Sequence, residues 1–297
     1  MKKTLAMMTA AMMVAGALAG CGSSSSTPVA TTAEATTAAA TEAATTEVAT
    51  TEAGDTAAAA EGTVKTPSGK FTVGFDQEFP PMGFVGDDGQ FTGFDLDLAK
   101  EVASRLGLEF VPQPINWDAK DMELDSGNID CIWNGFTMQG REDAYTWVGP
   151  YMANNQVFVV TADSDIASKA DLAGKAVEVQ KDSSGLAALQ GDAELSASFG
   201  SMTEVADYNT ALMDLESGAC DAVCMDSIVA GYQIKSSGKD MKILDDTLSA
   251  EEYGIGFKKG EDELAKAFYD TLMEMKDDGT VAKISNDWFG SDVFTLK

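Results

Sequence analysis

The sequence predicts an α/β fold made of two similar lobes, and three patterns support this prediction. Segments typical of strands and of amphipathic helices alternate from residue 71 to residue 217. A phrase of the form Leu-(Asp/Glu)-Ser-Gly-x-x-Asp occurs twice, as LDSGNID from Leu124 and as LESGACD from Leu215. The region after residue 67 holds about 230 residues, enough for one large domain or two modest ones. Alternating strands and helices predict a mainly parallel sheet with helices on both faces.

The individual elements follow from local patterns along the chain. FTVGF at residues 71–75 alternates like a strand and ends at the turn DQEFPP, and Asp88-Gly89 is typical of a hairpin turn. DLDLAKEVASRL, from Asp95, predicts a helix because its apolar residues fall four apart and its first turn is acidic. Similar signals predict strands at residues 108–113, 129–133 and 175–180, and helices at residues 118–125, 184–190 and 209–216.

The repeated phrase combines a helix end, a glycine able to cap it in the left-handed conformation, and an aspartate that opens a buried strand. Two copies predict two equivalent joints in two similar lobes. The alternative is that they are unrelated, because a helix followed by a glycine and a strand is common in any α/β protein. Ligands of open parallel sheets bind beyond the carboxyl ends of the strands. We therefore expect residues 134–137, after the first copy, and residues 225–226, after the second, to face one cleft.

The N-terminus predicts export and membrane attachment. Lys2 and Lys3 precede an apolar run over residues 5–19, which is typical of a signal peptide over residues 1–20. The following Leu-Ala-Gly-Cys resembles the lipobox of bacterial lipoproteins, which would make Cys21 the lipidated N-terminus; the alternative is an ordinary signal peptide with an incidental cysteine. Residues 21–67 lack aromatic residues, Leu and Ile, so we expect a disordered Ala/Thr/Glu tether. The protein is thus expected to be extracytoplasmic and lipid-anchored.

Composition excludes several classes of function. The chain has 20 Lys and Arg against 48 Asp and Glu, a net charge of −28, which argues against binding nucleic-acid phosphates. It has no histidine, which rules out Ser-His-Asp and Cys-His nucleophiles and histidine-containing zinc sites. Cys131, Cys220 and Cys224 are expected to be buried free thiols, with one disulfide plus a free thiol as the alternative. We expect neither a metal site nor a cofactor.

Motifs throughout the folded region resemble one family, the polar amino-acid binding proteins of bacterial ABC importers (solute-binding protein family 3). The most specific motif is GFDLDLAKEVASRL, at residues 93–106. The others are GFDQEFPPMGF, DSGNIDCIWNGFT, REDAYTWVGPYM, DLAGKAVEVQ, YGIGFKKG and DDGTVAKISNDWFG.

The resemblance implies a type II periplasmic-binding-protein fold, two α/β lobes joined by two hinge strands that close on one amino acid. Lobe 1 would comprise residues 68–154 plus 251–297, and lobe 2 residues 155–250. The implied function is capture of a free polar amino acid and its delivery to ABC permease subunits, by a monomer held at the membrane through its lipid alone. An enzyme on the same scaffold, similar to cyclohexadienyl dehydratase, is the alternative.

Four positions implied by the resemblance would hold the ligand's main chain. Arg141 would bind the α-carboxylate, Asp226 the α-ammonium, and the Gly135 carbonyl and Thr137 hydroxyl would contact either group. The chemistry agrees, because a zwitterion taken out of water requires both charges to be matched, and arginine's planar fork suits a carboxylate. The alternatives are a surface ion pair for Arg141 and a helix cap for Asp226.

Other positions would hold the ligand's side chain. Phe79 and Trp117 would sandwich it, Asp76 would accept from its head group, and Gln180 is a possible additional contact. A core role is the alternative for both aromatic residues. Asp76 and Glu78 favour a side chain with N–H donors, such as that of arginine, lysine, histidine or glutamine, and leave cystine and neutral polar amino acids open.

This chain departs from the family pattern at two places in the implied site. The loop from Thr137 to Arg141 is one residue shorter than usual. Asp182 precedes Ser183 and Ser184 where a glycine is usual. An acid suits a helix N-terminus but opposes a ligand carboxylate, so the role of this turn is open, while both serines are retained as ligand contacts.

Overall fold

The computed structural model describes residue 66 and residues 68–297. The predicted signal peptide, the proposed lipid-bearing Cys21 and the predicted tether, apart from Thr66, lie outside the described residues. Thr66 is buried, and its hydroxyl donates to the carbonyl of Lys70 at 2.5 Å. Within the described residues, no helix has the length and apolar character needed to cross a membrane.

Strands and helices alternate as predicted over most of this region. The strands are β1 (Lys70–Phe75), β2 (Glu78–Phe79), β3 (Gly83–Val85), β4 (Phe91–Thr92), β5 (Glu109–Pro114), β6 (Cys131–Thr137), β7 (Tyr145–Thr161), β8 (Ala176–Gln180), β9 (Ser201–Val205), β10 (Ala222–Asp226), β11 (Met241–Ile243) and β12 (Ser249–Lys258). The helices are α1 (Phe94–Arg105), α2 (Lys120–Ser126), α3 (Ser184–Gly191), α4 (Ala193–Ser198), α5 (Tyr208–Ser217), α6 (Ser227–Ser237), α7 (Asp262–Asp277) and α8 (Thr280–Phe289). Two 3₁₀ turns lie at Trp117–Ala119 and Lys169–Leu172.

Within residues 68–297, nine strands form one sheet in the order β5-β1-β6-β12-β7-β10-β8-β9, and β11 also pairs with β7. The flanks are parallel: β1 runs with β5 and β6, and β8 runs with β9 and β10. The central strands β12 and β7 are antiparallel to each other and to their outer neighbours. The prediction of parallel pairing is thus confirmed for the flanks and wrong for the centre, where two long strands connect the flanks.

The predicted lobe boundaries fall side by side on these central strands. Asn154 is the register partner of Glu251, and Asn155 is that of Ala250. The division into two lobes at these points stays a prediction.

The core is apolar on both flanks of the sheet. Phe71 of β1 packs against Phe268 of α7 with ring centroids 4.2 Å apart. Cys131, Cys220 and Cys224 are buried free thiols, which confirms the expectation for all three.

The two copies of the repeated phrase form equivalent helix ends. Gly127 follows α2 at φ 76°, ψ 20°, and Gly218 follows α5 at φ 78°, ψ 18°. After each glycine, the next N–H donates to the carbonyl five residues earlier, at 3.0 Å for Asn128 and 2.8 Å for Ala219. Both joints are therefore left-handed caps of the same type.

The aspartate of each copy attaches its joint to the neighbouring parallel strand. Asp130 donates its N–H to the Thr72 carbonyl at 2.8 Å, and its carboxylate accepts the Thr72 N–H at 2.7 Å. Asp221 makes the same two bonds to Ala176, both at 2.8 Å. Because the hydrogen bonds match group for group, the two copies form equivalent helix-to-strand joints, more alike than two unrelated helix-to-strand connections.

The strand after the first copy differs from its predicted bounds. The sequence predicts it at residues 129–133, but β6 spans Cys131–Thr137. Its end pairs with β12, where Tyr253 lies opposite Thr137, and this pairing keeps the chain extended beyond the apolar run. Residues 134–137 therefore lie within the last part of the strand, as Asp226 does in β10.

Candidate ligand-binding cleft

One small cavity gathers nearly all of the predicted ligand contacts. Its lining consists of Phe79, Trp117, Gly135, Thr137, Arg141, Gln180, Ser183, Ser184 and Asp226. The tenth predicted residue, Asp76, is bonded to this lining, since the Gln180 side-chain amide donates to its carboxylate at 2.7 Å. The cavity encloses about 10 Å³, room for about one water molecule.

Gly135 has a conformation and surroundings that require glycine. Its φ is +57°, and an added Cβ would lie 2.9 Å from Cε1 of Phe79 and 3.2 Å from the ring of Tyr253. Its N–H donates to the carboxyl group of Asp95 at 2.7 Å, and Tyr151 donates its hydroxyl to the same oxygen at 2.8 Å. Asp95 therefore orients the cleft main chain, a role that sequence analysis missed because the acid also suited the first turn of α1. Burial raises the pKa of Asp95 to about 7.

Arg141 presents a positive charge that no described carboxylate neutralises. Its guanidinium donates to the carbonyl of Thr137 at 3.1 Å and to the carbonyl of Asp182 at 3.3 Å. The guanidinium carbon lies 5.0 Å from the ring centroid of Phe136, a cation–π distance. Among residues 68–297, Arg141 forms no ion pair within 4.0 Å. The surface ion pair considered from the sequence is therefore not formed.

Asp226 presents a buried carboxyl group on the opposite side of the sheet centre. It precedes α6 but makes no side-chain capping bond to it, so the alternative of a helix cap is wrong. Its carboxyl group accepts from the Tyr253 hydroxyl at 2.7 Å, the Asn154 amide at 2.7 Å and the Tyr208 hydroxyl at 3.3 Å. Burial, and next the nearby carboxyl group of Glu251, raise the pKa of Asp226 to about 8.

Glu251 of β12 is a second buried acid, and sequence analysis missed it. Its carboxylate accepts from the Thr137 hydroxyl at 3.0 Å, the Asn154 amide at 2.6 Å and the Gln156 amide at 2.9 Å. Glu251 is 5% exposed, whereas the adjacent Glu252 is exposed. The strand alternation would place one of these two acids inside, but choosing between them requires the register of β12.

Asp182 points to a lysine rather than into the cavity. At φ 56° it is the one residue other than glycine with a left-handed backbone in the described part of the chain. Its carboxylate pairs with Lys120, whose side chain is 2% exposed and lies 5.1 Å from the ring centroid of Trp117. Burial lowers the pKa of Lys120, and the hydrogen bond that Lys120 donates to the Asp182 carboxylate opposes that change. The acid that departs from the family pattern is therefore matched by a cation.

The two serines after Asp182 have distinct local roles. Ser183 caps α3 by accepting the Leu186 N–H at 3.0 Å. The Ser184 hydroxyl lies 3.2 Å from the Thr137 hydroxyl, so β6 and α3 meet at this point.

The end of the cavity away from Ser184 and Thr137 is aromatic and acidic. Phe79 is buried and lies 5.8 Å from the ring centroid of Tyr208, and Trp117 is half-buried. Burial raises the pKa of Asp76 to about 6. Glu78 is bonded to the side-chain amide of Asn209. A groove beyond this end is lined by six acids and one lysine: Asp76, Glu78, Asp118, Glu123, Glu204, Asp207 and Lys181.

Comparison with known sequences places the protein in a family. The sequence profile of the bacterial extracellular solute-binding proteins, family 3, matches residues 71–291. The chain belongs to this family.

The family 3 protein has similar relatives among characterised proteins and solved structures. L-cystine-binding protein TcyJ of Escherichia coli (strain K12) is 31% identical over 231 residues, covering 76% of this chain and 84% of TcyJ. Arginine-binding extracellular protein ArtP of Bacillus subtilis (strain 168) is 30% identical over 226 residues, covering 74% and 86%. The structure of an ABC uptake transporter substrate binding protein from Streptococcus pneumoniae with bound histidine matches with a TM-score of 0.75 and 34% identity, covering 77% and 96%. The fold is therefore the type II periplasmic-binding-protein fold that the sequence resemblance implied.

In this family 3 protein, side chains of the two predicted lobes meet across the cleft. The contacts join Gln180 to Asp76, Asn209 to Glu78, Asp182 to Lys120, Lys181 to Asp118 and Ser184 to Thr137. A cavity of about 10 Å³ is too small for an amino acid, so a ligand could enter only if these contacts separated.

Proposed function

We propose that this family 3 solute-binding protein captures a free polar amino acid in the cleft and delivers it to the permease of an ABC importer. The observation that carries the proposal is an arginine and an aspartate that line one cavity without an ionic partner in the part of the chain that the structure describes. Arg141 has no acidic partner, and Asp226 has no basic partner, within 4.0 Å among the described residues.

A free amino acid supplies both missing partners in one molecule. Its carboxylate would accept hydrogen bonds from the guanidinium of Arg141, and its ammonium would donate to Asp226 and the Gly135 carbonyl. Each charge would be costly to bury alone, which favours a zwitterion over a ligand with one charge. The named relatives bind cystine, arginine and histidine, which supports binding rather than the enzyme alternative.

The side-chain end favours a ligand with N–H donors. Asp76 and Gln180 form its inner wall, and the groove beyond it carries six acids against one lysine. Arginine, lysine, histidine and glutamine fit this chemistry best. Cystine, whose second ammonium could also reach the acidic groove, is the next candidate.

A thermal-shift screen of the twenty standard amino acids and cystine tests this proposal. A ligand at 100 times its dissociation constant should stabilise the protein by about 2.7 kcal/mol, because it binds the folded state only. We expect the largest shift among the basic and amide amino acids. No shift with any compound would refute amino-acid capture, and a shift with apolar amino acids alone would refute the side-chain assignment.

The charge assignment is tested by Arg141→Ala and Asp226→Ala. Each variant should weaken binding at least about tenfold in calorimetry, because each removes an ionic partner of one ligand charge. Arg105→Ala is the matched control, since Arg105 pairs with Glu101 and Asp278 on the surface, away from the cleft. Affinities that match the control in both cleft variants would contradict the assignment.

The proposed location follows from the N-terminus. Cys21 would carry the lipid, and residues 21–67 would tether the two lobes, residues 68–154 plus 251–297 and residues 155–250, to the membrane surface as a monomer. Cys21→Ala should release the protein from the membrane fraction, as followed by immunoblotting. A variant that stays in that fraction would contradict lipid anchoring through this residue.

A further inference from the structure

The ammonium side of the cleft contains two acids rather than one. Asp226 is 3% exposed and Glu251 is 5% exposed. One amide nitrogen, Nδ2 of Asn154, donates to Oδ1 of Asp226 at 2.7 Å and to Oε1 of Glu251 at 2.6 Å. The two carboxyl groups are therefore close neighbours in a buried site.

Only neutral groups donate to this pair in the described structure. Asp226 accepts from two tyrosine hydroxyls and an amide, and Glu251 accepts from amides and the Thr137 hydroxyl. No Lys or Arg of residues 68–297 lies within 4.0 Å of either acid. Two adjacent buried carboxylates without a cation are unfavourable, so such pairs retain a proton.

Both acids also face space that a ligand would use. Asp226 lines the inner cavity. Glu251 lines the adjoining groove together with Thr137, Arg141 and Ser184, and these three residues line the inner cavity as well. Glu251 is thus reachable from the same cleft.

We propose that Glu251 is a second ligand-contacting acid of the ammonium site, and that the ligand's ammonium displaces a proton that Asp226 and Glu251 share before binding. The inference rests on the proposed amino-acid capture and extends it to a specific residue and a proton count. The carboxylic acid of the pair loses its proton to solvent, and the incoming ammonium replaces that proton as the positive partner of two carboxylates.

The groups around the pair do not account for such a proton. Tyr208 on α5, Tyr253 on β12 and Cys224 on β10 face it, and burial raises the pKa of each well above its ordinary value. They stay neutral near pH 7. The elements β7 and α3 contribute only neutral side chains, namely Asn154, Gln156 and Ser184. The guanidinium of Arg141 lies beyond Thr137, to whose carbonyl it donates.

Calorimetric titration in two buffers of different ionisation enthalpy measures the protons released per ligand bound. L-Arginine and L-glutamine are suitable probes because neither side chain titrates between pH 6 and 8. Near pH 7 we expect release of about one proton. The affinity should rise by up to about tenfold per pH unit from pH 6 to 8 and level off above that, because the deprotonated pair binds the ammonium.

Three variants locate the proton. Glu251→Gln removes one acid while keeping an acceptor, and should reduce the release to less than half and flatten the pH dependence. Glu178→Gln is the matched control: Glu178 is a buried glutamate of β8 that lines neither cleft space, and its pKa is also raised by burial. It should release protons like the parent protein. Asp76→Asn tests a further carboxyl group near the ligand whose pKa burial raises. It should weaken binding, because Asp76 is a predicted ligand contact, but the number of protons released per ligand bound should stay near that of the parent protein.

The outcomes separate the two levels of inference. Binding without proton release in the unmodified protein overturns this proposal and leaves amino-acid capture intact. Release that survives in Glu251→Gln, or that disappears in Asp76→Asn, also overturns it, because the proton would then come from elsewhere. Failure of every amino acid to bind overturns the proposed function and this inference together.

Discussion

At the scale of single residues, the shape of the cleft depends on a glycine held by a buried acid. Gly135 is in the left-handed region, and its N–H donates to the buried carboxyl group of Asp95. Gly135 and Thr137 line the same cavity as Arg141 and Asp226. Under the proposed function, Arg141 would hold the ligand's carboxylate on one side of this segment, and Asp226 of β10 would hold its ammonium on the other.

Gly135→Ala should therefore damage both stability and binding. The new Cβ would carry the left-handed strain, about 1–2 kcal/mol, and would also lie 2.9 Å from Phe79. We expect at least a tenfold loss of affinity in calorimetry, because the aromatic ring must move. Gly69→Ala is the control: its φ is +69° and its added Cβ would meet nothing within 4 Å. It should lose stability in urea denaturation but keep full affinity, and equal affinity in both variants would show that the contact with Phe79 is unimportant.

At the scale of elements, two helix-to-strand joints give the chain its internal symmetry. Each uses a left-handed glycine, and in each the aspartate side chain accepts a backbone N–H of the neighbouring parallel strand. The joints set where β6 and β10 begin, and these two strands end at Thr137 and Asp226. Equivalent joints thus bring different chemistry to one cleft.

The same glycine-to-alanine change should have opposite signs at a joint and within a helix. Gly218→Ala would strain a left-handed cap and cost about 1 kcal/mol. Gly231→Ala, in the interior of α6, should stabilise by about 0.5–1 kcal/mol because alanine has less freedom to lose. Both sites have open space around an added Cβ, so packing does not confuse the comparison. Urea denaturation measures the difference, and stabilisation by Gly218→Ala would contradict the capping role.

At the scale of the whole molecule, buried acids and a large negative charge act together. Burial raises the pKa of Asp76 to about 6, of Asp95 to about 7 and of Asp226 to about 8, from an ordinary value of 3.8. The folded state therefore holds protons that the unfolded chain releases above about pH 4. The net charge of −28 adds self-repulsion as pH rises.

Without ligand, the protein should be less stable at pH 8 than at pH 5. Unfolding releases protons in this range, so the free energy of unfolding falls as pH rises. We expect a fall of at least about 1 kcal/mol, because a tenfold difference in proton affinity between the folded and unfolded states corresponds to roughly that free energy. Urea denaturation at constant ionic strength measures this change. Asp95→Asn, which stays neutral, should flatten the dependence between pH 4 and 7, and equal or greater stability at pH 8 would contradict the protonated state of these acids.

Much of this architecture could be predicted from local sequence patterns. The alternation of strands and helices, the two glycine caps and the Asp88-Gly89 turn all depend on residues close together in the chain, and the structure has them at the predicted places. The resemblance to a family placed ten residues at one site, and nine of them line one cavity. Their role in binding stays a prediction.

Contacts between distant segments were decided only by the tertiary structure. Glu251 meets Thr137 and Asn154 because β12 lies between β6 and β7 in one register, and a slip of one residue would expose it and bury Glu252. Asp182 meets Lys120 across 62 positions of chain. Local patterns determine which helices and strands form and where the chain turns. The partner of a buried charge depends instead on how those elements pack, and residues nearby in the sequence carry no information about that packing.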